Sequence, residues 1–129
     1  QLLSFAQNNF GLGYHAMLVN EGLVLHIVNK LKIENKLNDK SIGLLGMAFK
    51  ANIDDTRTSL SYKLKKQLIP HTKNLYTTDP YVKTDTELKS LNYVLKNSDI
   101  LILCAPHSIY KKISLKGKKI IDVWGFFKK

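Results

Sequence analysis

The sequence predicts an α/β protein with a mostly parallel sheet, preceded by a long helix, and three observations lead there. Residues 42–45, 99–105 and 118–123 are short runs of strand length, the middle one apolar from position 100 to 105, as a strand buried on both faces must be. Roughly 20–30 residues separate consecutive strands, which is room for crossover helices and demands parallel pairing. Ahead of them Leu12, Ala16, Val19, Leu23, Ile27 and Leu31 recur at three- and four-residue spacing, on one face of a helix.

That first helix carries a second apolar stripe, Met17, Val24 and Val28. A helix apolar over so much of its circumference must be covered on two sides. Its own domain can cover one, so another domain or a second copy of the chain is expected on the other, as a homodimer through residues 12–33. Residues 35–40 lose the periodicity and supply polar turn residues. The boundary is therefore set between a helical region, 1–38, and an α/β domain, 39–129.

In the α/β part, residues 42–45 form the first strand. Ser59 or Ser61 caps a following helix that turns Leu60, Leu64 and Leu68 inward and ends near Pro70. Residues 74–77 form a second, more polar strand, closed by the turn signal Asp79-Pro80-Tyr81. A helix is expected from Thr84 or Asp85, facing Leu88, Leu91, Val94 and Leu95 inward. The strand at 99–105 leads through Pro106-His107-Ser108 into one or two helical turns at 109–113, and 118–123 is the last strand.

Composition bounds the function. The chain has 129 residues, 44% of them hydrophobic, enough for a real core. No window approaches 18 uninterrupted apolar residues, so no membrane span is expected. The amino end has no basic region followed by an apolar run and a cleavage site, so no secretory signal is expected. It begins without methionine and in mid-pattern, which reads as a piece of a longer protein. Cys104 is the single cysteine, which excludes an intramolecular disulfide and suits the cytoplasm. The net charge of +10 comes from 20 Lys+Arg against 10 Asp+Glu, and Arg57 is the one arginine. Scattered lysines mark a solvated surface. No aromatic RNA-binding strand, zinc spacing or arginine-rich helix accompanies them, so no nucleic-acid partner and no metal site are expected.

The chemistry concentrates in residues 43–57. A buried strand ends at Gly46 and is followed by Phe49, Lys50, Asp54, Asp55 and Arg57 before the next helix. A loop from strand to helix lies at the carboxyl edge of a sheet, where open α/β folds bind ligands. Lysine, arginine and the N–H groups of a helix start favour an anion, hence a phosphate-bearing ligand. The glycine pair Gly43-x-x-Gly46 is not the dinucleotide fingerprint, whose third glycine is missing.

The longer string Gly-x-x-Gly-x-Ala-Phe-Lys, then Asp-Asp-Thr-Arg and Ser-x-Ser, resembles the carboxy-terminal nucleotide-binding domain of the UDP-glucose/GDP-mannose dehydrogenase family. The stretch from Phe10 to Gly22 resembles its long central, dimer-forming helix, and Thr78-Asp79-Pro80-Tyr81 and the stretch from Leu103 through Pro106-His107 to Tyr110 resemble later landmarks. The resemblance covers essentially the whole chain and implies a Rossmann-like, three-layer α/β/α domain. It also implies NAD-dependent oxidation of a nucleotide sugar at C6 to a uronic acid, through a cysteine nucleophile that would precede Gln1. Without that nucleophile and the dinucleotide domain, these residues alone are expected to turn nothing over.

The resemblance further implies that Phe49 and Lys50 contact the nucleotide sugar and that Arg57 reaches NAD held mainly by another domain. From the residues alone, Arg57 could instead pair with Asp54 or Asp55, and these two carboxylates read as loop-shaping and capping groups. Asp55 stays a possible site residue. His107 could approach the ligand or face solvent in a turn; His15 and His26 read as interface histidines. Trp124 stands where many members have an arginine, and could stack on a ring or only pack. Cys104 ends a buried strand and reads as an inert core thiol, not a nucleophile. A different class remains open: a non-catalytic, stand-alone nucleotide-binding or regulatory module.

Overall fold

The computed structural model describes residues 21–56, 59–115 and 117–122. Leu12, Ala16, Met17 and Val19 of the expected stripes, His15, Arg57 and Trp124 lie outside the described residues. Helix α1, Glu21–Glu34, leads through a 3-10 turn, Leu37–Asp39, into strand β1, Ser41–Leu45. Helix α2, Leu60–Leu68, runs on as a 3-10 turn, Ile69–His71, to β2, Asn74–Thr78. Helix α3, Leu91–Asn97, precedes β3, Ile100–Leu103; a 3-10 segment, Ser108–Lys112, precedes β4, Lys119–Asp122.

The four strands lie in the order β2-β1-β3-β4 and every pairing is parallel. Strand β1 is central, with Ile42 opposite Leu75 on one side and Ile100 on the other. Successive side chains point to opposite faces, and the core divides accordingly. Ile42, Leu44, Ile100 and Ile102 pack under α1 and α2, against Val24, Ile27, Leu31, Leu64 and Leu68. Leu45, Leu101 and Leu103 pack on the other face with Val94 and Tyr110. This is the three-layer α/β/α arrangement expected. Gly43 belongs to the second face, where a Cβ would come within 2.5 Å of Val94 Cγ1, so its absence lets α3 lie close on the sheet.

In α1, Val24, Ile27, Val28 and Leu31 are all buried in this one core. Spaced by three, one and three residues, they share a single face, so within the described residues the two expected stripes merge into one. His26 is exposed, as are Leu25 at 50% and Ile33 at 85%.

The third helix starts later than expected, at Leu91 rather than Thr84 or Asp85. Leu88 packs with the α1/α2 face of the sheet, whereas Leu91 and Leu95 pack with the opposite face. One helix cannot serve both faces; the chain must first round the edge strand. It does so with Lys89 N–H donating to the Thr77 carbonyl at 2.8 Å, and Ser90 then caps α3 by accepting from Tyr93 N–H. Asp85 is spent on the approach, accepting from the Tyr62 hydroxyl of α2 at 2.7 Å.

Candidate functional site

Strand β1 is followed by β2 on one side of it and later by β3 on the other, so the strand order reverses between β1 and β3. The loops leaving the carboxyl ends of these two strands diverge there and frame a crevice, the usual ligand position of such sheets. Residues 46–56 belong to one loop and 104–107 form the other. Gly46 has φ +93°, and a Cβ on it would sit 2.6 Å from the Ala105 Cβ, so glycine is required both for the turn and for the crossing of the two loops.

The group that organises this edge is Asp79, in the loop after β2. Its Oδ2 accepts from Met47 N–H at 2.6 Å, from Ala48 N–H at 3.0 Å and from His107 Nε2 at 2.8 Å. Its Oδ1 accepts from Tyr81 N–H at 2.7 Å and Val82 N–H at 3.1 Å. Burial alone would push the Asp79 carboxyl up. The hydrogen bonds from His107, Tyr81 and Met47 outweigh it and hold the group below its ordinary value. The N–H groups of Met47 and Ala48, just past the Gly46 turn, are therefore turned onto an internal carboxylate. This also bears on NAD: with those donors engaged and Gly46 facing the Ala105 backbone, the β1 turn offers no cradle for a dinucleotide pyrophosphate.

His107 is fully buried, so the solvent-facing alternative is excluded. Its Nδ1 accepts the Asn52 backbone N–H at 2.7 Å, which assigns the ring proton to Nε2 and makes Nε2 the donor to Asp79. Both ring nitrogens are used within the protein. Asn52 sits at φ +61°, a conformation asparagine tolerates better than most residues. Its Oδ1 accepts from Ser108 N–H at 3.0 Å and Ser108 Oγ at 3.2 Å. The Tyr81 ring stands edge-on to the imidazole, with centroids 4.8 Å apart.

Phe49 and Lys50 lie on the excursion between these anchors. Phe49 N–H donates to the Asp55 carbonyl, closing residues 49–55 into a loop; Phe49 is half-buried, and Lys50 and Asp54 are exposed. Asp55 is half-buried and its backbone shapes the loop. The far end is stapled by the Ser-x-Ser pair. Ser59 Oγ donates to the Met47 carbonyl at 3.0 Å and caps α2 by accepting from Ser61 N–H; Ser61 Oγ donates to the Gly46 carbonyl at 2.7 Å. Cys104 is buried in the α1/α2 core and its thiol is pushed up to about 12 by that burial. The parts that Asp79, Asn52 and Tyr81 play in the site escaped the sequence reading. Asp-Pro-Tyr showed only the half of Asp79 that makes its own turn. Among the described residues no three His, Cys, Asp or Glu side chains cluster to hold a metal, and no helix is long and apolar enough to cross a membrane.

The UDP binding domain of the UDP-glucose/GDP-mannose dehydrogenase family matches residues 43–129. The UDP-N-acetyl-D-mannosamine dehydrogenase of Pyrococcus horikoshii is 32% identical over 94% of this chain and 31% of its own length. The solved structure of the P. horikoshii UDP-D-ManNAc dehydrogenase aligns with TM-score 0.61 and 28% identity, over 77% of this chain and 24% of that one. That of the Pseudomonas aeruginosa GDP-mannose dehydrogenase gives 0.63 and 26%, over 77% and 27%. The chain thus spans less than a third of the length of these relatives.

Proposed function

Because the chain belongs to the UDP-glucose/GDP-mannose dehydrogenase family, we propose that it supplies the nucleotide-sugar half of an NAD-dependent nucleotide-sugar dehydrogenase. The observation that carries this is the loop at residues 49–55, closed on itself at the switch point of the sheet with Lys50 exposed. Lys50 is a flexible point charge suited to a diphosphate or a sugar oxygen. Phe49 offers an aromatic surface beside it. By the family resemblance Arg57 would contact the dinucleotide, and Asp55 and Trp124 are further candidate site residues.

The nucleotide sugar we favour is UDP-N-acetyl-D-mannosamine, since several relatives bear that activity in their names. In the whole enzyme NAD would take up the hydride. The filled β1 turn is consistent with its being held by a segment other than the described residues. This chain's share is then to bind and orient the sugar nucleotide. Residues 1–38 would form a dimerising helical region ahead of the domain at 39–129, with Leu25 and Ile33 on the exposed side of α1 available to a second copy.

Titration calorimetry on the 129-residue chain tests this reading. UDP-N-acetyl-D-mannosamine is expected to bind, more weakly to Lys50→Ala, with no reduction of NAD. Failure of any UDP-sugar to bind overturns the assignment. Reduction of NAD by the chain alone overturns the division of labour.

A further inference from the structure

We propose that His107 is a positioning residue that holds the Phe49–Lys50 span in its ligand-binding conformation without touching the ligand. The ring is fully buried and both its nitrogens are engaged, so direct contact would require dismantling the core around it. What it does instead follows from the order of anchors along the loop. Met47 and Ala48 are fixed at one end by Asp79. Asn52 is fixed at the other by His107 Nδ1, and its side chain is held by Ser108, the residue after His107. Residues 49–51 are therefore strung between two fixed points. Both points converge on one buried contact, His107 Nε2 to Asp79 Oδ2 at 2.8 Å.

A short span pinned at both ends gives up little conformational freedom on binding, which is the way pre-organisation raises affinity. Asn52 is the weaker anchor. It is exposed, at positive φ, and its backbone N–H is met by a side chain 55 residues away rather than by a strand or helix. Release of that bond leaves Asn52 held through its side chain and loosens the Lys50 side of the loop, while Asp79 keeps the other. The inference rests on the reading of Phe49 and Lys50 as nucleotide-sugar contacts.

Two substitutions separate positioning from simple core packing. In His107→Asn the side chain carries an acceptor oxygen at the ring's δ1 position, so the Asn52 N–H keeps a partner. In His107→Gln an amide donor reaches the ε2 position, so Asp79 keeps its bond and Asn52 loses its own. The measurements, on the 129-residue chain, are amide hydrogen exchange across residues 49–56 and calorimetry with UDP-N-acetyl-D-mannosamine. His107→Gln should raise exchange at Asn52 and weaken the sugar nucleotide about tenfold, and His107→Asn should stay within about threefold of the original chain, with similar thermal midpoints for the two. Equal losses in both variants, or original affinity and protection in His107→Gln, overturn the proposal. Lys50→Ala is the control. If it binds as the original chain does while the exchange pattern holds, the ligand assignment fails and the positioning of the loop stands.

Discussion

Nε2 of His107 donates to Oδ2 of Asp79 at 2.8 Å, and both side chains are fully buried. Asp79 leaves the end of β2 and His107 the end of β3, so this bond crosses over the carboxyl end of β1, which lies between them. With the bonds of Asp79 to Met47 and Ala48 and of His107 to Asn52, it ties the loop after β2 to the two loops that frame the candidate site.

Loss of the Asp79 charge should therefore cost more than one hydrogen bond. Asp79→Asn presents an amide to donors that a carboxylate now accepts, and about 2–4 kcal/mol of stability should be lost at neutral pH. Urea unfolding followed by fluorescence measures it; a loss below about 1 kcal/mol would show that the carboxylate is not the organising acceptor.

The same group sets an acid limit. Its carboxyl is held below the ordinary value of 3.8 in the folded chain, so the folded state binds that proton less readily than the unfolded one. The stabilisation is present in full above about pH 5 and is lost as pH falls through the unfolded and then the folded value. Asp79→Asn should be less stable than the original chain at neutral pH and show a shallower loss between about pH 5 and pH 2. Parallel acid limbs for the two proteins would contradict the assignment.

Gly46→Ala should be strongly destabilising. The residue sits at φ +93°, and the new methyl would meet the Ala105 Cβ at 2.6 Å. Left-handed strain and overpacking together amount to about 2–4 kcal/mol, readable as a lowered urea midpoint. A midpoint within error of the original would mean that the two loops part without cost.

Ser59→Ala and Ser61→Ala should each cost about 1–2 kcal/mol, the first by removing a helix cap and the second by stranding the Gly46 carbonyl. Because both side chains hold the same loop to the same helix start, the double variant should lose less than the sum. A double-mutant cycle in urea gives the coupling directly, and strict additivity would argue that the two serines act separately.

Cys104 should be inert. Its thiol is buried and pushed up to about 12, so a thiol reagent at pH 8 should modify it only after unfolding. Cys104→Ala should leave sugar-nucleotide affinity within about twofold, since its side chain is buried in the α1/α2 core and not open to the crevice. Rapid labelling of the native chain would reopen its role.

Much of this molecule was determined by the sequence alone. Apolar runs separated by helix-length spacers can only pair in parallel, and the residues between Gly46 and the next helix must then lie at the carboxyl edge. Ser59 as a cap, Leu60, Leu64 and Leu68 as an inner face, and Cys104 as a core thiol follow from local pattern, because period and capping are properties of neighbouring residues. The tertiary structure alone decided what fills the turn after β1. Asp79 and His107 are 28 residues apart, and His107 and Asn52 are 55, and no local preference relates them. Their partnership exists because parallel strands bring the ends of distant loops together. The late start of α3 was hidden for the same reason: the pattern through Leu88 and Leu91 reads as one helix until the sheet edge puts them on opposite faces.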